Sequence, residues 1–140
     1  MATWHEIYQA YLNAPREQLV ATGRTATETA LQELVAKYGQ KDAFTFFTGI
    51  VGSFVCADNK VNYDEYEVFQ EVVGTNLTYD QFYDMMKNFN TEEIFQIADK
   101  IIDSLSEKGK TAVLSVGLVL CAINGTITVA EQELIERFAR

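Results

Sequence analysis

Asp58, Asp64 and Glu65 fall together in CADNKVNYDEYEVF, residues 56–69, where three hard oxygen donors could meet around a divalent cation. The stretch also reads like the second half of an EF-hand calcium loop. Such a loop needs oxygen ligands at its first, third and fifth positions, a glycine at the sixth and a bidentate Glu at the twelfth. With Glu65 as the twelfth residue, the first is Phe54, the third Cys56, the fifth Asp58 and the sixth Asn59. With Glu131 in that place they are Leu120, Ala122, Asn124 and Gly125. Apolar and thiol side chains stand where oxygens must, so a regular calcium loop is excluded. A less regular cation site at Asp58, Asp64 and Glu65 stays open as one reading.

The same residues have a structural use. Asn62-x-x-Glu65 and Thr128-x-x-Glu131 are capping boxes, in which the first side chain accepts from a free backbone N–H of a new helix and the Glu reaches back to the cap's own N–H. Asp58-Asn59 and Asn124-Gly125 just before them are turn residues. Val61 and Ile127, between turn and cap, would each staple an apolar side chain under the helix that follows.

A second kind of chemistry is charge. From residue 61 to 107 eleven acids stand against Lys87 and Lys100, a net −9 that equals the formal charge of the whole chain. Three consecutive helices are expected to be acidic on their outer sides. Such a face can simply keep the protein solvated, can dock a basic protein partner, or can hold a divalent cation. For docking, the candidates are Glu67 and Glu71 together with Tyr79 and Tyr83 from NLTYDQFYDMMKNF, since Tyr is favoured at contact surfaces. That helix, opened by Thr78-x-x-Gln81, is expected to bury Phe82, Met85, Met86 and Phe89 on its other flank.

Enzymatic chemistry finds little to hold. His5 is the single histidine and has no nucleophile near it in sequence, and the chain lacks a nucleophile elbow and a glycine-rich phosphate loop. A non-enzymatic protein without a resident catalytic cofactor is the expectation. Nucleic acid is disfavoured as a partner, because an acidic surface repels phosphates and no basic patch offsets it.

These residues must be positioned by helices. The chain has 140 residues, 48% of them hydrophobic, enough for one domain over residues 1–140 with a substantial core. It has one Pro and eight Gly, little turn chemistry for many short strands, whereas YQAYLNA, ALQELVAKY, EVFQEVV and EIFQIADKIIDSL carry apolar residues at helical spacing. An all-α fold follows. The longest apolar run, AVLSVGLVLCAI, falls short of the ~20 residues needed to cross a bilayer, and the start has no secretory pattern, so a cytoplasmic protein that does not span a membrane is expected. Cys56 and Cys121 stand in apolar surroundings without a CxxC and read as buried, reduced thiols.

The chain also repeats itself. FVCADNKVNYDEYEVFQEVV (54–73) aligns without a gap on LCAINGTITVAEQELIERFA (120–139) at a shift of 66 residues. Each copy follows an apolar segment, AFTFFTGIVGSFVCA or TAVLSVGLVLCAI, whose Gly49, Gly52, Ser53, Ser115 and Gly117 would let two helices approach closely. The two apolar helices should therefore pack together at the centre, in an internally duplicated molecule.

The two turns, with the apolar helices before them and the capped helices after, resemble the tellurite-resistance TerB-like family, whose hallmark is an alanine-rich helix end, Asp-Gly, a hydrophobe, and a helix opening with Ser/Thr and Glu. The similarity runs from about residue 24 to the end. Asn59 stands where the family usually has Gly, and Asn124 replaces its Asp. The resemblance implies a compact bundle of about seven to nine helices with pseudo-two-fold internal symmetry, and a role linked to stress or tellurite resistance. Where the family's suspected metal binding relies on turn acids, the first copy, with Asp58, Asp64 and Glu65, is the stronger candidate.

Overall fold

The computed structural model describes residues 3–57, 61–87 and 91–139. Among them the chain forms eight helices and no strand: α1 (Trp4–Leu12), α2 (Arg16–Tyr38), α3 (Gln40–Val55), α4 (Tyr63–Val73), α5 (Tyr79–Met86), α6 (Glu92–Asp103), α7 (Glu107–Ala122) and α8 (Val129–Ala139). All of them except α2 and α3, which follow Pro15 and Gly39, start at a side-chain cap. Thr3, Asn62 and Thr78 each accept from the backbone N–H three residues on, and Glu6, Glu65 and Gln81 return the contact. Thr91 and Ser106 cap α6 and α7 from one side only. The box at Thr128 and Glu131 opens α8, with N–H to oxygen distances of 2.8 and 3.2 Å. Between α2 and α3 the chain turns at Gly39, whose φ of 87° suits a residue without Cβ.

The apolar helices lie where their composition requires. α3 buries Phe47, Ile50, Val51, Phe54 and Val55, and α7 buries Val113, Val116, Val119, Leu120 and Cys121. They pack directly on one another, and a Cβ added to Gly117 would sit 2.7 Å from the Phe54 ring. Phe54 in turn meets Phe138 of α8 edge-on at 5.5 Å. Both cysteines are buried and are not joined in a disulfide.

The centre is shared by a third helix. α2 lies along α7 and also covers α3 and α4, burying Gly23, Ala26, Thr27 and Ala30 as well as Leu19, Val20 and Leu34. Small residues there allow close approach: a Cβ on Gly23 would lie 2.8 Å from Val72 of α4 and 3.4 Å from Val119 of α7. Gly49 does not serve the helix contact expected of it. It faces open space and forms part of an apolar groove of about 160 Å³ between α3 and α6, walled by Phe46, Ile50, Ile94, Ile97 and Ile101.

α1 packs on α7, α2 on α3, α4 and α7, α5 on α3 and α4, and α6 on α3, α7 and α8, while α7 also packs on α8. Likewise α4 meets α7 and α8 meets α3. Each of the two capped helices is tethered to a neighbour by ion pairs. Glu71 of α4 pairs with Arg16 of α2 at 3.0 Å, whereas Arg137 of α8, 66 residues on, pairs with Glu92 and Asp99 of α6 at 2.8 and 2.9 Å.

Candidate functional site

At the first turn, Asp58 lies outside the described residues. Its neighbours Asp64 and Glu65 point to opposite environments, as successive helical residues do. Asp64 is exposed and borders a cleft with Arg16 and Gly125. Glu65 is 2% exposed, and its carboxylate accepts from the Asn62 N–H at 3.2 Å. Among the described residues no group of three or more His, Cys, Asp or Glu is placed to hold a metal ion.

The acids of the segment from 61 to 107 divide into two sets. Glu71, Glu92, Asp99 and Asp103 are engaged by bases from outside the segment: Arg16, Arg137 and Lys110. The Arg137 guanidinium, hydrogen-bonded to Glu92, holds that carboxyl below the usual range, and it also lies 5.6 Å over the Phe95 ring. Asp84 is paired with the nearby Lys87, at 3.3 Å. Asp64, Glu67 and Asp80 are exposed, and no salt bridge reaches them among the described residues.

Beside this second set lies an aromatic cluster. Tyr63 of α4 meets Tyr66 at 5.3 Å and Tyr79 of α5 at 5.4 Å, and Tyr79 continues to Tyr83 at 6.3 Å. Tyr66 stands against the buried Phe82 at 5.5 Å, which fixes the inner side of the cluster to the core. The Tyr66 and Tyr79 hydroxyls donate to the Leu77 and Val61 carbonyls, so those rings are held in place. Tyr63 and Tyr83 are 55% and 46% exposed, large apolar surfaces left in water. On α4, Tyr63, Glu67 and Glu71 recur every fourth residue and share a stripe. Tyr79 and Tyr83 therefore join a surface with Glu67, while Glu71 at its edge is drawn to Arg16. Phe82 and Met86 are buried and Met85 half-buried, as the helical spacing predicts; Phe89 lies outside the described residues.

Sequence reasoning singled out neither Tyr63 and Asp80, which belong to this surface, nor a polar cleft between α1 and α8. Helical spacing alone puts Tyr63 beside Glu67, but only tertiary packing brings α5 against it. In the cleft, the buried Tyr8 donates its hydroxyl to Glu136 at 2.6 Å, a contact across most of the chain that no local pattern reveals.

No family model, no curated protein and no solved structure matches the chain, so the reading of the site rests on its own geometry.

Proposed function

We propose that the chain is a non-enzymatic, TerB-like binding or scaffold module that docks a basic protein partner through the tyrosine-bearing acidic face of α4 and α5. The observation that carries this reading is the union of two features: Tyr63 and Tyr83 exposed at the edge of a ring cluster, and Glu67 and Asp80 outside every ion pair among the described residues. Aromatic rings held rigid offer contact area at low entropic cost, and they attract cations over their faces. Carboxylates around them steer a basic segment toward the rings. The family resemblance supports an internally duplicated bundle, as does the recurrence of several helix pairings, although α7 packs on α8 without an equal contact between α3 and α4; a link to stress or tellurite resistance comes from that resemblance alone.

The test is fluorescence anisotropy of a labelled peptide of alternating Lys, Arg and Gly. The variant Glu67→Lys with Asp80→Lys should weaken binding about tenfold or more while the helical circular dichroism stays unchanged. Tyr63→Ala with Tyr83→Ala should weaken it too but leave the salt dependence in place, because only the carboxylates contribute the part screened over ~8 Å at physiological ionic strength. Peptide binding that is indifferent to both double variants would overturn the reading.

A further inference from the structure

Away from the tyrosine face, a cleft of about 490 Å³ opens between α1, α8 and the turn at Gly125–Ile127. Trp4, Tyr8, Gln132 and Glu136 are among its lining residues, with His5 and Thr126 beside them, and no Lys or Arg lines it. Tyr8 is 6% exposed, and the Trp4 ring stacks on it at 5.8 Å with 24° between the planes. The Gln132 side-chain N–H donates to the Ile127 carbonyl at 2.9 Å, which leaves the amide oxygen as an acceptor. Burial raises the Tyr8 phenol above its usual range, with the hydrogen bond to Glu136 and the charge of that carboxylate adding to the rise, so the hydroxyl remains a donor to Glu136.

The cleft thus offers acceptors and aromatic faces without a lysine or arginine. A metal ion finds too few ligands there, since His5 and Glu136 are the only residues of the lining that could supply imidazole or carboxylate. An anion meets Glu136. An organic cation meets a counter-ion, an aromatic wall and a volume within the range of small-molecule sites. The form of the cation also follows. Tyr8 already donates to one oxygen of Glu136, Oε2, so the planar fork of a guanidinium, which prefers both carboxylate oxygens, must share Oε2 with the phenol. A primary ammonium needs no fork. Its three N–H donors can be shared between the second Glu136 oxygen, the Gln132 amide oxygen and Thr126.

We propose that this cleft binds a primary alkylammonium group, with Glu136 as counter-ion, Gln132 as a second acceptor and the Trp4–Tyr8 stack as the aromatic wall. The group can arrive as a free amine or as the lysine side chain of a partner, and the chemistry is the same for both. The site lies apart from the α4–α5 surface and stands or falls independently of it.

Trp4 is the single tryptophan of the chain, so its fluorescence reports on this cleft alone. The probes are n-butylammonium for a free amine and Nα-acetyl-lysine methylamide for a lysine side chain, with n-butylguanidinium and butyrate as comparisons. At least one ammonium probe should change the Trp4 emission saturably at concentrations up to about 50 mM, and whichever of the two binds more tightly identifies the source. The guanidinium should bind several-fold more weakly, and butyrate should not bind. Glu136→Gln should weaken the ammonium about tenfold. Tyr8→Phe removes the phenol from Oε2 and should narrow the preference for ammonium over guanidinium, a readout that a purely structural tether between α1 and α8 would not move. Circular dichroism checks that both variants fold, and the Glu67→Lys, Asp80→Lys protein should keep the Trp4 response. The proposal is overturned if neither ammonium probe gives a saturable change, or if the response survives Glu136→Gln undiminished in the folded protein.

Discussion

Glu65 and Glu131 occupy the third position of α4 and α8, and each is all but sealed from water, at 2% and 1% exposure. A carboxylate in such a place is tolerated because the backbone uses it: Glu65 accepts from the Asn62 N–H and Glu131 from the Thr128 N–H. The cap at Thr3 and Glu6 has the same pattern at an exposed site. Burial therefore separates boxes that look alike in sequence. Glu65→Ala and Glu131→Ala should each destabilise by about 1–3 kcal/mol, since they orphan a donor and leave a hole, while Glu6→Ala should cost only about 0.5 kcal/mol. Urea unfolding of the three variants checks the order. If Glu65→Ala left stability untouched but removed a calorimetric signal for calcium or manganese, Glu65 would be a ligand rather than a cap.

At the scale of elements, the contact between α3 and α7 depends on one missing side chain. Gly117 faces the edge of Phe54, which is fully buried and braced by Phe138, so an added methyl has no flexible neighbour to displace. Gly117→Ala should destabilise by about 1–3 kcal/mol, and a thermal melt unchanged within error would show that the two helices can separate freely. At Gly109 the nearest atoms belong to the end of Glu33, which accepts from the Ser106 N–H and hydroxyl at the start of α7 and can move aside. The sequence made the capped starts and the central pair α3 and α7 legible, because boxes and long apolar runs are local signals. It did not reveal α2 as their partner. The buried stripe of α2 is built from Gly23, Ala26, Thr27 and Ala30, whose burial follows from close approach rather than from hydrophobicity. For the same reason Gly49 read as a contact residue, although it opens a groove.

Across the whole molecule, the linear segregation of charge is partly undone by folding. Arg16, Lys110 and Arg137 come from outside the acidic segment and return to Glu71, Asp103, and Glu92 with Asp99. Sequence showed the excess of acids but not which of them the fold would pair, so Glu67 and Glu71 read as equals although, among the described residues, Glu71 has a salt bridge and Glu67 has none. The bond between α6 and α8 carries a pH dependence of known sign. Arg137 lowers the carboxyl of Glu92 through its hydrogen bond, so the contribution is present above the unfolded carboxyl value of about 4.3 and is lost as pH falls through the still lower folded value. Arg137→Met should therefore lower the melting temperature at pH 7, and the gap from the parent protein should narrow as the pH falls below the unfolded carboxyl value and through the lowered value of Glu92. Part of the gap should persist in acid, because the guanidinium also stacks on Phe95 and that contact does not titrate. Melts of the two proteins across this range decide the matter: a gap that is constant with pH would mean that Arg137 holds α8 by packing alone, and no gap at all would mean that the tether contributes nothing to joining the helices.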